Sequence, residues 1–78
     1  MVEPLLTLRL FASLREEQGW SERTVPLGPA PLTAAALQQQ LGLTRRDLRI
    51  AVNQRFVAAD QLLRAGDEVA FLPPITGG

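Results

Sequence analysis

The last eight residues, FLPPITGG, offer the most distinctive chemistry in the sequence. Pro73 and Pro74 cannot donate hydrogen bonds within a sheet and favour an extended path, which directs the chain away from a domain. Gly77 and Gly78 lack a Cβ, so a narrow pocket of another protein could close around their backbone. The Gly78 carboxylate is a poor electrophile until a partner activates it, most simply as an acyl-adenylate that a thiol or sulfide can attack. We therefore expect the tail to be a substrate and a carrier.

The composition leaves few other groups for catalysis. The 78 residues include no Cys, His or Tyr, and all eight basic residues are arginine, so there is no Lys. Without Cys and His there is no thiol nucleophile, no imidazole base and no zinc site of the usual kind. We expect no metal, no bound cofactor and no self-contained catalysis. A lysine-linked polymer of this sequence is excluded.

Two pairs of adjacent carboxylates are the remaining candidates for acid and base chemistry, Glu16 with Glu17 and Asp67 with Glu68. Adjacent residues point in different directions on a helix or strand, so we interpret both pairs as solvated faces. Asp67 follows Gly66 ahead of a predicted strand, where a short acidic side chain typically accepts hydrogen bonds from the turn backbone. These carboxylates are therefore not expected to be catalytic.

Charge and length restrict the class of protein. Eight arginines balance eight acidic residues and no basic run appears, so nucleic acid and membranes are poor candidate partners. The first residues lack a basic n-region, and Arg9 interrupts their apolar run far short of the ~20 residues that span a bilayer. We expect a cytoplasmic protein with one folded domain over 1–73 and a flexible tail over 74–78.

The elements that must position the tail begin with a strand. Leucines alternate with polar residues in LLTLRLF, which predicts a half-buried strand over 5–11. Helix formers then predict a short helix over 12–18 that ends at Gly19 and buries Leu14. The β-branched pair and the proline of WSERTVPL predict an edge strand paired with the first.

A longer helix follows, predicted over 34–41 with Thr33 as its N-cap and a glycine as its stop. Leu37 and Leu41 would share its buried face. Two further strands, RIAVN and EVAFL, and a short one over 55–57 come next, with tight turns at NQ and AGDE. This order predicts an α+β fold in which one main helix packs across a mixed sheet of about four or five strands.

An apolar patch is predicted beside the tail. Alternation along the last strand places Val69 and Phe71 on the face that the helix covers and leaves Leu72 exposed. The same reasoning directs Phe56 outward, and Phe11 lies at the end of the neighbouring first strand. Together Phe11, Phe56 and Leu72 would form an exposed patch of the kind that commonly marks a partner surface. The alternative is that one or two of them belong to the core.

Two stretches of the sequence resemble a known family. AVNQRFV and, after it, LLRAGDEVAFLPPITGG are similar to the small subunit of molybdopterin synthase, a ubiquitin-like β-grasp sulfur carrier. The similarity is strongest over residues 51–78, and LRLFASLRE resembles the family's first strand and helix. A terminal Gly-Gly is shared with ubiquitin-like modifiers and with the thiamine-pathway sulfur carrier, whereas GDEVAF-x-PP-x-x-GG is more typical of molybdopterin synthase.

The resemblance implies a role in sulfur transfer. An adenylating enzyme related to ubiquitin-activating enzymes would consume ATP to activate the Gly78 carboxylate, and sulfur would replace AMP to give a thiocarboxylate. The carrier would donate this sulfur to cyclic pyranopterin monophosphate, within a heterotetramer of two small and two large synthase subunits. Gly77 would give steric access to the reacting residue. The contacts with partners would come from Phe11, Phe56, Leu72, Pro73, Pro74, Ile75 and Thr76.

Three alternatives stay open from the sequence. The first is a sulfur carrier for thiamine thiazole synthesis, and the second is a ubiquitin-like modifier that passes its activated Gly78 to lysines of other proteins. The third is an interaction domain whose patch binds a partner and whose tail is an incidental frayed terminus. Replacing Gly77 and Gly78 with alanine would leave function intact only in the third case.

Overall fold

The structure, a computed structural model, describes residues 4–74, which form a five-stranded mixed sheet and two helices. The elements are β1 (Leu5–Leu10), α1 (Ala12–Gln18), β2 (Glu22–Pro26), α2 (Ala34–Gln40), β3 (Arg49–Val52), β4 (Arg55–Val57) and β5 (Glu68–Leu72). The strand order is β2-β1-β5-β3-β4, with β1 and β5 parallel and the other neighbours antiparallel. The predicted mixed sheet, with its second strand at an edge, is confirmed.

Both helices contribute side chains to one face of the sheet. Alternate residues of β1 and β5 point to this face and join residues of α1 and α2 in a single hydrophobic cluster. Its most deeply buried side chains, each at most 2 % exposed, are Leu6, Leu8, Leu10, Leu14, Ala34, Leu37, Val69 and Phe71. Full burial of one large apolar side chain stabilises a fold by ~1.5–3 kcal/mol, so this face supplies most of the stability.

The helices have the same length, whereas the sequence predicted one main helix. α1 and α2 each contain 7 residues. The Thr33 hydroxyl oxygen caps α2 as predicted, because it accepts a hydrogen bond from the Ala36 N–H at 3.1 Å. The helix ends at Gln40, since the chain turns at the following residues, and Leu41 is its C-cap. Leu37 is buried, but Leu41 is only half-buried against the cluster, so the predicted buried pair is partly wrong.

A tight hairpin turn joins β3 and β4. Asn53 and Gln54 have φ angles of 52° and 69°, the pair of positive values that a type I′ turn requires. Asn53 Nδ2 donates to Asp67 Oδ1 at 3.0 Å, and Asn53 Oδ1 accepts from the Glu68 N–H at 3.0 Å. Asp67 Oδ2 accepts from the Arg64 N–H at 2.8 Å. These bonds tie the turn to the start of β5 and confirm the local, turn-forming role predicted for Asp67.

Candidate functional site

The last strand brings the chain to the end of the sheet from which the tail continues. β5 ends at Leu72, after which Pro73 is buried and Pro74 is exposed. Since β1 and β5 are parallel, with Leu10 paired to Phe71, the carboxyl ends of both strands lie at this end of the sheet. The tail residues predicted to act on partners, Ile75, Thr76, Gly77 and Gly78, lie outside the described residues. The described part of the site is therefore the root of the tail and the surface beside it.

The face of the sheet opposite the helices, which we call the open face, has two alanines at its centre. Ala70 and Ala51 are register partners on β5 and β3, and both lie outside the hydrophobic cluster although each is only 8 % exposed. Longer side chains stand beside them, because Arg9 is paired with Ala70 and Phe56 with Ala51. The two small alanine side chains form the floor of a shallow depression between the longer side chains of Arg9 and Phe56.

The Phe56 side chain is exposed on the open face, as predicted. It is 61 % exposed, more than any other large hydrophobic residue that the structure describes. The Arg49 guanidinium lies 4.2 Å from the centroid of its ring, which is a cation–π contact. Arg49 is also the register partner of Leu72. Arg49 was not among the residues predicted for the patch, although its alternation with Ile50 places it on the open face.

Phe11 lies at the same end of the sheet as the start of the tail, but outside the strand that was predicted to contain it. β1 ends at Leu10, and Phe11 is the N-cap of α1, with an extended backbone at φ −127° and ψ 157°. The strand is shorter than predicted because Ala12, at φ 52°, turns the chain into the helix. Phe11 is 40 % exposed, and it follows the pair that Leu10 makes with β5, which places it beside the position of Leu72.

Leu72 is half-buried, so the prediction that it is exposed is wrong. β5 is the central strand, with β1 on one side and β3 on the other, and Leu72 is paired with Arg49 of β3. Register places Leu72 and Arg49 at the tail end of the open face and Phe56 one step further from the tail, level with Ala51 and Ala70. We call Phe11, Phe56, Leu72 and Arg49 the open-face patch. Binding of a partner to this patch stays a prediction.

Charged residues of β1, β2 and β5 lie beside the patch on the open face. An Arg9 terminal nitrogen lies 3.2 Å from Glu22 Oε1, and Arg9 Nε lies 3.6 Å from Glu68 Oε2. Such solvent-exposed pairs contribute only ~0–1 kcal/mol to folding. They nevertheless neutralise these carboxylates locally. Arg49, in contrast, forms no ion pair with any carboxylate among residues 4–74.

A carboxyl group with a clearly shifted pKa lies in the loop before β3 rather than in the patch. Arg45 donates hydrogen bonds to both carboxylate oxygens of Asp47, at 3.0 and 2.9 Å, and these bonds lower the pKa of Asp47. Arg45 also lies 3.4 Å from Glu17 Oε1 of α1. This cluster connects the loop to the helix. Over residues 4–74, no group of three or more His, Cys, Asp or Glu side chains could hold a metal ion.

Comparison with known proteins identifies the family. The ThiS family profile matches residues 8–78, from β1 to the end of the tail. The chain belongs to the ThiS family. The molybdopterin synthase sulfur carrier subunit of Escherichia coli is 39 % identical over 83 residues, covering 95 % of this ThiS-family chain and 100 % of that protein. The subunit of the same name from Haemophilus influenzae is 31 % identical with the same coverage. The resemblance found in the sequence is confirmed.

Solved structures share the fold of this ThiS-family chain. Small archaeal modifier protein 1 of H. volcanii matches with a TM-score of 0.77 at 21 % identity, covering 91 % of this chain and 98 % of that one. A complex of subunits 1 and 2 of molybdopterin-converting factor from Helicobacter pylori matches with a TM-score of 0.66 at 20 % identity, covering 95 % and 99 %. These likenesses confirm the ubiquitin-like β-grasp fold. Within residues 4–74, neither helix has the length and apolar character needed to cross a membrane.

Proposed function

We propose that this chain is the sulfur carrier subunit of a molybdopterin synthase and that Gly78 carries the sulfur. The observation that carries the proposal is the end of β5, where the strand passes beside the open-face patch and continues through Pro73 and Pro74 into ITGG. This arrangement suits a domain that docks through one surface and extends a narrow tail into its partner. The 39 % identity to a carrier subunit of that name supports the same role.

The proposed chemistry takes place at the Gly78 carboxylate. An adenylating enzyme related to ubiquitin-activating enzymes binds ATP, the carboxylate attacks the α-phosphate, and pyrophosphate leaves. A sulfur nucleophile then displaces AMP from the acyl-adenylate and leaves a thiocarboxylate. Gly77 has no Cβ and allows the catalytic pocket to approach the acyl carbon. The chain supplies the reacting group, and the partners supply ATP, catalysis and the acceptor, cyclic pyranopterin monophosphate.

The large synthase subunit is the proposed docking partner. The H. pylori structure is a complex of two subunits of molybdopterin-converting factor, and its fold match supports this choice. The open-face patch would contact the large subunit while Pro73, Pro74, Ile75 and Thr76 line the entrance to its active site. We place this assembly in the cytoplasm as a heterotetramer with two copies of each subunit.

Intact mass spectrometry tests the central step. The chain is incubated with its adenylating enzyme, ATP and a sulfur donor, and compared with a chain that lacks Gly78. We expect a gain of about 16 Da, an exchange of oxygen for sulfur, in the wild type alone. No gain with an adenylating enzyme that is active on another carrier would overturn the proposal.

Two alternative functions would give the same activated Gly78 and need separate experiments. Complementation of a molybdoenzyme-deficient strain, but not of a thiamine auxotroph, is expected and separates the two sulfur pathways. Covalent adducts on lysines of cell proteins, lost when Gly78 is deleted, would instead indicate a protein modifier. A pure interaction domain would keep its function after Gly77→Ala and Gly78→Ala, whereas the proposed carrier loses it.

A further inference from the structure

We propose that Arg49 makes the open-face patch selective for a partner surface that presents a carboxylate next to an apolar anchor. The inference rests on the proposed function, because the partner concerned is the large synthase subunit. It adds to that function a residue that determines specificity and the chemistry of the surface that it recognises.

Arg49 stands among the apolar residues of the patch and not at its margin. It begins β3, is paired with Leu72 at the root of the tail, and places its guanidinium 4.2 Å from the centre of the Phe56 ring. Leu72 thus lies on one side of it and Phe56 on the other. A partner that covers both apolar side chains to guide the tail must also cover the arginine.

Covering Arg49 removes a charge from water, and this is costly unless the charge gains a partner. No carboxylate among residues 4–74 forms an ion pair with Arg49, and Glu22 and Glu68 of the same face are both paired with Arg9. The described residues therefore offer Arg49 no carboxylate, and the docking protein is the proposed source of one. A large subunit with only apolar groups there would leave the guanidinium desolvated and unpaired.

The register also indicates the spacing of the partner's groups. Arg49 and Ala51 are two residues apart on one strand, so they lie ~6.6 Å apart on the open face. An apolar anchor seated on the floor of Ala51 and Ala70 would have the carboxylate within about that distance, because the Arg49 guanidinium lies against Phe56, the register partner of Ala51. Alternate residues of an extended strand, or residues one turn apart on a helix, satisfy this spacing. Stacking on Phe56 orders the guanidinium before binding, which reduces the entropy lost when the ion pair forms.

The test is the dissociation constant between the full chain and the large synthase subunit of the same organism. Variants R49E and R49Q are compared with wild type, and R55E is the matched control. Arg55 precedes Phe56 on β4 but is paired with Val52 of the hydrophobic cluster, so it lies on the other face. R55E therefore changes the net charge equally without touching the patch. We expect R49E to weaken binding by about tenfold or more and R55E by less than about threefold.

Salt dependence and a charge exchange give independent readings of the same contact. Raising the salt concentration from about 50 to 500 mM should weaken wild-type binding more than R49Q binding, because salt screens the ion pair. Replacing the matching carboxylate of the large subunit with arginine should restore binding of R49E. The same replacement should weaken binding of wild type, because two arginines would then face each other. The melting temperature of each variant establishes that it is folded. If R49E does not fold, the dissociation constant of R49Q is compared with that of wild type instead.

The outcomes distinguish this inference from the proposed function. Wild type that binds the large subunit while R49E binds as tightly as R55E overturns the selectivity of Arg49 and leaves the carrier function intact. Wild type that does not bind the large subunit overturns both. Equal salt dependence of wild type and R49Q also overturns the role of the ion pair.

Discussion

The two faces of the sheet are built from the same strands but differ in what covers them. On the helix side, Val69 and Phe71 of β5 are completely buried in the hydrophobic cluster, which includes residues of both helices. On the open face, the alternate residues of β5 are Ala70 and Leu72, and the neighbouring Phe56 is 61 % exposed. One step along a strand therefore moves a side chain from the core to the open face. Residues that stabilise the domain thus lie mainly on the helix side, whereas the open face carries the exposed ring of Phe56.

Truncation of neighbouring residues of β5 on opposite faces should destabilise the domain to very different extents. Phe71→Ala removes a fully buried ring and should lower the free energy of unfolding by about 3–5 kcal/mol. Leu72→Ala, the control on the open face, should cost less than about 1.5 kcal/mol because its side chain is only half-buried. Urea unfolding followed by circular dichroism measures both. Equal losses would show that the open face is part of the core.

The reverse pattern is expected for binding. Phe56→Ala should change the free energy of unfolding by less than about 0.5 kcal/mol but weaken binding of the large synthase subunit by about tenfold or more. Titration calorimetry with the two purified proteins measures the affinity. Leu62→Ala is the matched control. Leu62 is also exposed, at 55 %, but it lies outside the patch, in a segment that forms an isolated β-bridge with Thr33. A loss of affinity as large for Leu62→Ala as for Phe56→Ala would contradict a role specific to the patch.

The helix side could be predicted from the sequence more fully than the open face. Alternation identified Val69 and Phe71 as core because a strand has a period of two and burial follows it. The same rule placed Leu72 on the open face but overestimated its exposure, because that exposure depends on which strands lie beside β5, and the sequence does not reveal their order. It also could not bring Arg49 to Leu72 and Phe56, since that contact depends on pairing between three strands. The chemistry of Gly78 was inferred from the tail motif and not from packing.

A smaller effect is expected from the turn that presents Phe56. Gln54 has a φ of 69°, where a residue with a Cβ is strained and glycine is not. Gln54→Gly should therefore raise the free energy of unfolding by about 0.5–1 kcal/mol, because relief of the left-handed strain is partly offset by the greater entropy of glycine in the unfolded chain, while Gln54→Ala should not. Thermal unfolding measures the change, and affinity for the large subunit should stay within about twofold because neither face is altered. Destabilisation by glycine would mean that the turn is not strained at this position.

The smallest expected effect concerns an exposed link on the helix side. Arg45 connects Asp47 to Glu17 of α1 and lowers the pKa of Asp47 below its usual value of 3.8. A carboxyl group with a lowered pKa in the folded state stabilises that state above its unfolded-state pKa, and this contribution is lost as the pH falls through the folded-state value. Asp47→Asn should therefore lower the melting temperature slightly at neutral pH, and the difference from wild type should disappear in strong acid. Melting curves from about pH 2 to pH 7 measure that difference. A difference that does not change with pH would mean that Asp47 acts through its shape and hydrogen bonds and not through its charge.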